Sequence, residues 1–313
     1  MRASNEESEP LVTTTTAGPT GYHPLPPDLR CCNPEAAQLL TDFFETKNSH
    51  DVEATMQFIS PDLSVYADVT LGWELNGYDA LREVWAQYMP TWGEGRSYPT
   101  AILGAVTQGD GSAVVHFTDT SELFGAEMRV AAAVDVNNGK ITRWADYWDS
   151  GNYSAAKFAE HRLPDPEVPI SLRSAPAACA ARLDETAARL AAAISVGDMN
   201  EVGRLMTYDA IYEDRAVRVK IEGRSPVLRY LQRSAPISPI GCGLLRGHTV
   251  GGTLGGAFEW GRRDGHAVKN GITTVWLDRD GSITHVVTTW DSRNLRDDDR
   301  RHLASLGVDQ LEA

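Results

Sequence analysis

Residues 139–152 read GKITRWADYWDSGN, and residues 281–294 read GSITHVVTTWDSRN. The two stretches agree at seven of fourteen positions, and the matches include a tryptophan. Upstream, Val65-Tyr66-Ala67-Asp68 is echoed by Ile211-Tyr212-Glu213-Asp214. Because the similarity recurs at distant points of both halves, the repeat spans whole domains, and the chain is predicted to contain two related units.

Composition limits the classes of protein to consider. The 313 residues suit two domains with a core each, and 29 Lys and Arg against 43 Asp and Glu give a net charge of −14. A surplus of carboxylates disfavours nucleic acid and anionic membranes as partners. The polar, acidic stretch Met1–Thr20 and the lack of long apolar runs predict neither a secretory signal nor a membrane helix. Four cysteines at no metal-binding spacing fit free thiols, so the predicted location is the cytoplasm.

Two segments without a hydrophobic period divide the chain. Residues 1–32 are rich in Ser, Thr, Glu and Pro and are predicted to form a flexible tail. A Pro-rich stretch, 161–177, is predicted to link the two units. The predicted domains are therefore 33–160 and 178–300, and 301–313 is predicted to be a C-terminal tail.

Each unit begins with helices and continues with strands. Asn33 is a candidate N-cap with Pro34 at the first helical position, and apolar residues follow at helical spacing. The later strands are separated by short turns, which imply antiparallel pairing, and one of these strands is predicted to run from Ala113 to Phe124. The predicted fold class is α+β, with two tandem cones. Each cone would pack three helices on a curved antiparallel sheet around a cavity.

Three motifs carry a resemblance to a known family. They are the Tyr-x-Asp strand at 66–68, the helix entry Gly77-Tyr78-Asp79-Ala80-Leu81, and the closing strand at 139–149. With this order of elements the chain resembles the NTF2-like (cystatin-like) superfamily, and within it the SnoaL-like polyketide cyclases and the limonene epoxide hydrolase group. The resemblance covers residues 34–155 and, more weakly, 178–300. It implies two NTF2-like cones that pair through their sheets as a pseudo-dimer within one chain; whether the chain is a monomer or a homodimer stays open.

Alternate residues of a strand face the same way, which groups the candidate site residues into rows. Trp85 and Tyr88 share one face of the third helix and are predicted to add apolar wall to the same pocket. The rows predicted to face the cavity of the first unit are Tyr66 and Asp68, then Trp144, Asp146 and Trp148, and on the long strand His116, Thr120 and Glu122.

Carboxyl groups in an apolar pocket are suited to proton transfer. Burial raises a carboxyl pKa and crowding drives neighbouring pKa values apart, so one group can stay protonated as the acid while another is the base. The candidate catalytic residues are Asp146, Glu122, Asp68 and Tyr66. The candidate substrate-binding residues are His116, Thr120, Trp144, Trp148, Trp85 and Tyr88.

The resemblance implies roles for some of these residues. In the epoxide hydrolase group a Tyr-x-Asn strand holds the nucleophilic water, and two acids on later strands act as base and acid with an Arg between them. Here Asp68 replaces the Asn, Glu122 and Asp146 match the two acids, and the Arg position falls near Thr120. In the SnoaL-like cyclases an inward Asp of the closing strand drives ring closure, and Asp146 matches it. Asp68 and the lack of an Arg near Thr120 depart from the epoxide hydrolase pattern. They favour ring closure, ring opening or isomerisation without a nucleophilic water.

Some candidates also have a structural interpretation. Asp149 and Asp291 share a Trp-Asp-Ser-x-Asn setting, which favours a cap or turn former in both units. The recurrence of Asp68 as Asp214 favours a shared structural hydrogen bond. Glu122 lies close to a predicted strand end, so an exposed strand end explains it nearly as well as a catalytic acid does. A histidine on a strand, such as His116, is more often a satisfied core or pocket residue than a ligand or base. The second-unit candidates are Tyr212, Asp214 and Thr288.

Two classes of function follow. The first is an enzyme that acts on an apolar polyketide-like or terpenoid-like molecule by acid/base chemistry. Neither a dinucleotide-binding glycine motif nor a P-loop is present, so no cofactor is expected, and no His and carboxylate cluster indicates a metal. The second is a non-catalytic tandem module that binds a ligand or a protein. Burial of Asp146 beside another carboxyl would favour the enzyme, and a lone hydrated Asp146 would favour the binding module.

Overall fold

The computed structural model describes residues 25–164, 170–173 and 179–308, which form two units with one six-stranded sheet each. The elements of the first unit are α1 (Pro34–Lys47), α2 (Val52–Met56), β1 (Val65–Asp68), β2 (Trp73–Leu75), α3 (Tyr78–Tyr88), β3 (Ser97–Thr107), β4 (Asp110–Asp119), α4 (Ser121–Phe124), β5 (Met128–Asn137), β6 (Lys140–Trp148) and α5 (Ala155–His161). The elements of the second unit are α6 (Ala181–Val196), α7 (Met199–Leu205), β7 (Met206–Asp214), β8 (Val219–Glu222), α8 (Arg224–Ser234), β9 (Leu245–Gly252), β10 (Gly255–Gly261), β11 (Asn270–Leu277), β12 (Ile283–Trp290) and α9 (Asp297–Leu306).

The two sheets have the same topology. The strand order is β2-β1-β6-β5-β4-β3 in the first and β8-β7-β12-β11-β10-β9 in the second. Neighbouring strands are antiparallel except for one parallel pair in each sheet, β1 with β6 and β7 with β12. The registers correspond as well, since Asp68 lies opposite Asp146 and Asp214 lies opposite Thr288. The predicted α+β fold class with two tandem cones is confirmed.

Helix α1 packs on one face of the first sheet. Asn33 caps it by accepting a backbone N–H, and Pro34 occupies the first position, as the sequence predicts. Its buried stripe contains Phe43 and Phe44 and continues in the last turn to Lys47. Each large apolar side chain buried here stabilises the fold by about 1.5–3 kcal/mol. The same packing carries the amino group of Lys47 into the interior.

The sheet faces that point away from the helices pack against each other. Gly104 and Gly252 meet in this layer, where a side chain on Gly252 would lie 3.1 Å from the backbone of Gly104. Each central strand is therefore buried on both faces, between helices and the opposing sheet. The apolar residues of this layer include Ala67, Leu103, Val114, Ala131, Ala133 and Ala145 from the first unit and Val250, Ala257 and Ile272 from the second.

Buried polar groups cross between the sheets as well. Arg143 donates to both carboxylate oxygens of Glu259, with Nη2 2.7 Å from Oε2. The Tyr147 hydroxyl donates to Glu259 Oε1 at 2.5 Å, and Glu259 is fully buried. His248 lies 2.9 Å from the carboxylate of Asp135. These contacts fix one sheet relative to the other.

Asp149 and Asp291 form a reciprocal link near the ends of β6 and β12. Each accepts a backbone N–H two residues further on, as expected for a turn former. Each also reaches across the pseudo-twofold axis. Asp149 Oδ1 accepts from the Ser292 hydroxyl at 2.7 Å, and Asp291 Oδ1 accepts from the Ser150 hydroxyl at 2.7 Å. The repeated motif therefore caps its own turn and joins the two units.

Some boundaries differ from the sequence prediction. Residues 28–32, expected in the N-terminal tail, pair with β3, where the Gly104 N–H donates to the Cys31 carbonyl. Helix α9 extends to Leu306, into the expected C-terminal tail, and Ile170 of the expected linker is buried between the sheets. In the described ranges no helix combines the length and apolar composition needed to cross a membrane. Residues 1–24, 165–169, 174–178 and 309–313 lie outside the described residues, with parts of the expected tails and linker.

Strand β4 is shorter than predicted. It ends at Asp119, and Thr120 becomes the N-cap residue of α4 instead of continuing the strand to Phe124. Gly125 closes α4 with φ +83°, a conformation that a glycine adopts without strain. This difference moves Glu122 from a strand to a helix.

Candidate active site

A cavity of about 460 Å³ lies inside the first unit, and every residue that lines it belongs to that unit. The sheet provides lining residues from β1, β2, β4, β5 and β6, and the helices α1, α3, α4 and α5 and the connecting segments provide the others. The cavity is large enough for a small organic molecule. Its aromatic wall consists of Trp73, Trp85, Tyr88, Trp92, Phe117, Phe124, Trp148 and Tyr153.

Three aspartates reach this cavity: Asp68, Asp119 and Asp146. Asp68 and Asp146 lie directly opposite each other on the parallel strands β1 and β6, and Asp119 is the last residue of β4. Burial is the largest cause that raises the pKa of each carboxyl, because it disfavours the charged form. The cavity therefore gathers carboxyl groups that hold protons more tightly than aspartates in water.

Asp146 is the most strongly perturbed of the three. Its Oδ1 accepts a hydrogen bond from Trp144 Nε1 at 2.6 Å. Burial raises the pKa of Asp146 well above its ordinary value, and the charge of Asp68 raises it further, while Lys47 and the Trp144 hydrogen bond oppose the rise. A carboxyl in this setting can carry a proton that it then donates.

Tyr66 lies on the same strand face as Asp68. Its ring stacks on Trp144, with centroids 5.7 Å apart and planes 5° from parallel, and meets the edge of Trp85. Burial, and after it the charge of Asp146, raises the pKa of Tyr66 well above its ordinary value. The hydroxyl of Tyr66 therefore remains a hydrogen-bond donor at neutral pH.

Lys47 is a site residue that the sequence reasoning missed. Its Nζ lies 5.4–5.8 Å from the ring centroids of Phe44, Trp92 and Phe117, which places the ammonium among aromatic faces. Lys47 lines the cavity and forms no ion pair with the carboxylates that the structure describes. The feature that could have found it is its position on the apolar stripe of α1, where a lysine is unusual.

Asp119 was missed as well. The hydroxyl of Ser97 donates to it, and both residues are buried. Burial raises the pKa of Asp119, whereas the charge of Lys47 and the Ser97 hydrogen bond favour its ionised form. The cavity thus holds two acids, Asp119 and Asp146, whose ionisation responds to the same lysine.

The sequence of residues 40–144 matches the family model described as a SnoaL-like domain. The first unit is a SnoaL-like domain. The matched stretch includes Lys47, Tyr66, Asp68 and Asp119, and Asp146 lies two residues beyond its end. No curated protein sequence matches the chain.

Solved structures similar to this chain include proteins of the size of one unit. A candidate ketosteroid isomerase from Kribbella flavida is 20% identical, with 46% of this chain and 91% of that chain covered and a TM-score of 0.31. A candidate polyketide cyclase from Sinorhizobium meliloti is 18% identical, with 35% and 93% covered and a TM-score of 0.29. An NTF2-like protein of unknown function from Cytophaga hutchinsonii is 10% identical, with 37% and 90% covered and a TM-score of 0.30.

The expected place of His116 in the cavity of the SnoaL-like domain is wrong. On β4, Phe117 and Asp119 face the cavity, so His116 faces the second unit. Its Nε2 lies 2.8 Å from the hydroxyl of Thr274, and burial lowers its pKa well below the ordinary value. A neutral histidine between the two sheets is a packing residue of the interface.

Three other predicted site residues do not have the surroundings that were predicted for them. Thr120 accepts the Arg96 N–H at 3.2 Å at the start of α4 and does not line the cavity. Trp144 is fully buried behind Tyr66, so it supports the site without lining it. Glu122 lines the cavity only as an exposed residue of α4, and a hydrogen bond from Thr120 lowers its pKa. A carboxyl in water at the rim is poorly placed to be the second acid.

The remaining expected residues do line the cavity of the SnoaL-like domain. Trp85, Tyr88 and Trp148 form part of its aromatic wall, and Tyr66 and Asp68 line it from β1. Their roles in binding or chemistry stay predictions.

Asp68 has an evident structural function. It accepts the Leu71 N–H at 2.8 Å and Trp148 Nε1 at 3.0 Å. Burial raises its pKa to about 6 against these hydrogen bonds. In the second unit Asp214 accepts in the same way from Ala216 N–H and from Trp290 Nε1 at 3.2 Å. The pair of Asp and Trp therefore holds a turn to the closing strand in both units.

The interior of the second unit is chemically different. Thr288, at the position of Asp146, lies with its hydroxyl 3.3 Å from that of Thr273, which also accepts from Trp260 Nε1 at 3.1 Å. Tyr212 and Trp290 are fully buried in the same core. The position that holds a carboxyl in the SnoaL-like domain thus holds a hydroxyl here.

The raised pKa of Asp146 predicts an effect on stability. Since the folded protein binds this proton more tightly than the unfolded chain, the carboxyl stabilises the fold at acid pH, and that stabilisation is lost as pH rises through the folded pKa. Asp146→Asn removes the titration. We measure the free energy of unfolding of this variant and of the native protein in urea titrations. The value of the variant minus that of the native protein is expected to be larger at pH 8 than at pH 5 by at least about 1 kcal/mol. The exposed Asp62→Asn is the control, and an equal difference at both pH values would contradict the assignment.

Proposed function

We propose that the first unit is an enzyme that closes, opens or isomerises rings of an apolar, carbonyl-bearing small molecule by acid/base chemistry. The single observation that carries this proposal is the burial of Asp146 beside other carboxyls in an aromatic cavity. A binding module needs no such group, because a buried carboxyl destabilises the fold once it ionises.

The residues suit a push–pull proton transfer. Asp146, which holds its proton, donates to the substrate carbonyl oxygen while Asp119, supported by Lys47, accepts a proton from the adjacent carbon. The products of this step are the enol, ionised Asp146 and protonated Asp119. The ammonium of Lys47 and the hydroxyl of Tyr66 stabilise negative charge that develops on oxygen.

The enol can then react in two ways. Protonated Asp119 returns its proton to a different carbon while ionised Asp146 takes back the proton of the enol oxygen, which gives an isomer. Attack of the enol carbon on a second carbonyl of the same molecule forms a carbon–carbon bond and closes a ring. The enol oxygen returns its proton to Asp146 as the first carbonyl re-forms, and protonated Asp119 delivers its proton to the new alkoxide. The aromatic wall favours substrates of polyketide or terpenoid character and excludes water from the intermediate.

One observation favours epoxide opening as a second candidate. The resemblance to the epoxide hydrolase group implies two acids with a cation between them, and Asp119, Lys47 and Asp146 supply two acids and a cation in this cavity. The cation is a lysine of α1 in place of an arginine of the strand. Asp119 would then accept a proton from a water that attacks the epoxide carbon, and Asp146 would protonate the epoxide oxygen as its bond to that carbon breaks.

Proton transfer can be tested before the substrate is known. The full chain is incubated in D₂O with apolar cyclic ketones and diketones of graded size, and deuterium incorporation is followed by mass spectrometry. We expect incorporation above the buffer rate, and its loss in Asp146→Asn. In parallel, terpenoid epoxides in H₂¹⁸O would give labelled diols if the reaction is hydrolytic. Tight binding of an apolar fluorescent probe with neither reaction would support the binding module instead.

Lys47 provides a separate prediction. Lys47→Met keeps the volume of the side chain but removes the charge, so we expect kcat to fall about 10²-fold with a smaller change in KM. Because the charge of Lys47 lowers the pKa of both Asp119 and Asp146, the pH–rate profile of the variant should move to higher pH. Lys157→Met, at the exposed rim of the same cavity, is the matched control. An unshifted profile would remove Lys47 from the mechanism.

A further inference from the structure

A second, larger groove lies between the two units, on the outside of the cavity described above. Its volume is about 800 Å³, and Phe117 is the one residue that the linings given for the two sites share. The groove is rich in cationic side chains from both units. They are Arg129 from the first unit and Arg215, Arg218 and Lys220 from the second.

Arg215 is the central cation of this groove. It follows β7 directly, lines the groove and also lines a neighbouring pocket that contains Asp28 and His285. Its side chain has no hydrogen bond or ion pair with any residue in the described part of the chain, and the same is true of Arg218. Burial is the largest cause that lowers the pKa of Arg215 to about 10; the charge of Glu213 opposes this shift, and the charge of Arg129 adds to it. A partly buried guanidinium with no carboxylate at hydrogen-bond distance is costly to the fold.

The carboxylates that line the groove form their close contacts with groups other than Arg215. Glu127 pairs with Arg129 at 3.3 Å, and Glu213 lies 3.4 Å from His285. Asp149 accepts from Ser292, and Asp214 accepts from backbone N–H groups and Trp290. The charge of Glu213 attracts Arg215, but none of these carboxylates reaches its guanidinium at hydrogen-bond distance.

The first unit shows that the fold does not require an arginine at the position of Arg215 or at that of Arg218. The pairing of Asp68 with Trp73 and of Asp214 with Val219 aligns this turn without a gap, so Arg215 corresponds to Val69. Val69 is buried and apolar, a residue that suits this interface without any counter-ion.

Arg218 corresponds to Gly72 in the same alignment. Gly72 has φ +73°, where glycine is unstrained, and Arg218 has φ +58°, where a side chain is disfavoured. The second unit thus accepts an unpaired cation at one position and backbone strain at the other. Both departures bring a guanidinium to the same groove.

We propose that this groove binds a small organic oxyanion, a carboxylate or a phosphate ester, between the guanidinium groups of Arg215 and Arg218. The planar, fork-shaped guanidinium donates two parallel hydrogen bonds to such a group, which a lysine cannot match. Thr118, on the first unit's side of the groove, can contribute a hydroxyl. Because both units line the groove, a bound anion would hold them together.

The test measures anion binding by the intact chain. Thermal unfolding and calorimetric titration are run with inorganic phosphate and, separately, with succinate, each against sodium chloride of equal ionic strength. We expect saturable stabilisation by at least one of them. Arg215→Val and Arg218→Gly introduce the residues that the first unit uses, so both variants should fold. We expect them to weaken binding at least tenfold and severalfold, respectively.

Two further variants make the result specific. Arg215→Lys keeps the charge without the fork and should bind with intermediate affinity, whereas Arg301→Gln in α9 is the exposed control and should bind like the native protein. Phosphate binding alone would assign a phosphate ester, and succinate binding alone a carboxylate. No stabilisation beyond that of sodium chloride, or unchanged binding in Arg215→Val and Arg218→Gly, would overturn the proposal.

Discussion

Asp146→Asn is expected to lower turnover by about 10²–10⁴-fold, the range that loss of a general acid or base typically costs. Asn keeps the size of the side chain and an oxygen that can accept from Trp144 Nε1, so the fold should persist. It cannot donate the proton that the raised pKa of Asp146 makes available. The measurement is the rate of deuterium incorporation, or of product formation once a substrate is in hand, with circular dichroism to verify folding.

The repeat offers a matched control for this variant. Thr288 occupies the position of Asp146 in the second unit, and Thr288→Ala should leave turnover nearly unchanged. Full activity of Asp146→Asn would exclude the mechanism proposed for the first unit. A loss in Thr288→Ala as large as that in Asp146→Asn would mean that both units serve one reaction.

The fold could be predicted because its evidence is local and repeated. Several independent local signals predict the same architecture. They are the cap and helical spacing that start at Asn33, the turns between strands, and the recurrence of the closing strand. The short strand β2 and its counterpart β8 were not predicted. Strands of three and four residues carry too little periodicity to identify.

The faces of β4 were assigned incorrectly for a physical reason. Alternation of polar and apolar residues reveals a strand's inner face only when the other face meets water. Here both faces are buried, with Val115 and Phe117 toward the helices and Val114 and His116 toward the second unit. The polar row around His116 marks the interface, and Asp119 was overlooked as a result.

Contacts between distant residues were beyond the reach of a single sequence. Tyr66, Asp68 and Asp146 could be grouped because strand parity and the family resemblance place them. Lys47 reaches the site through the packing of α1 on the sheet, which no short motif describes. The same holds for Arg143 and Glu259, which are 116 residues apart.

Removing either partner of that buried pair is expected to destabilise the chain by about 3–5 kcal/mol. Glu259 is fully buried, and its attraction keeps the pKa of Arg143 above its ordinary value although burial works in the opposite direction. Arg143→Met leaves a buried carboxylate with only the Tyr147 hydroxyl, and Glu259→Leu leaves a buried guanidinium unpaired. Urea unfolding of the two single variants measures both losses.

The cost of each single variant comes from the charge left behind, so removal of all three polar groups should restore most of the stability. We expect the triple variant Arg143→Met, Tyr147→Phe, Glu259→Leu to unfold with a free energy closer to that of the native protein than either single variant. Losses that simply add would show that the groups act independently, and would contradict the view that each single loss comes from an unpaired buried charge. The near-neutral outcome instead assigns the pair to the alignment of the two sheets, since an apolar layer of alanines and valines would tolerate other registers.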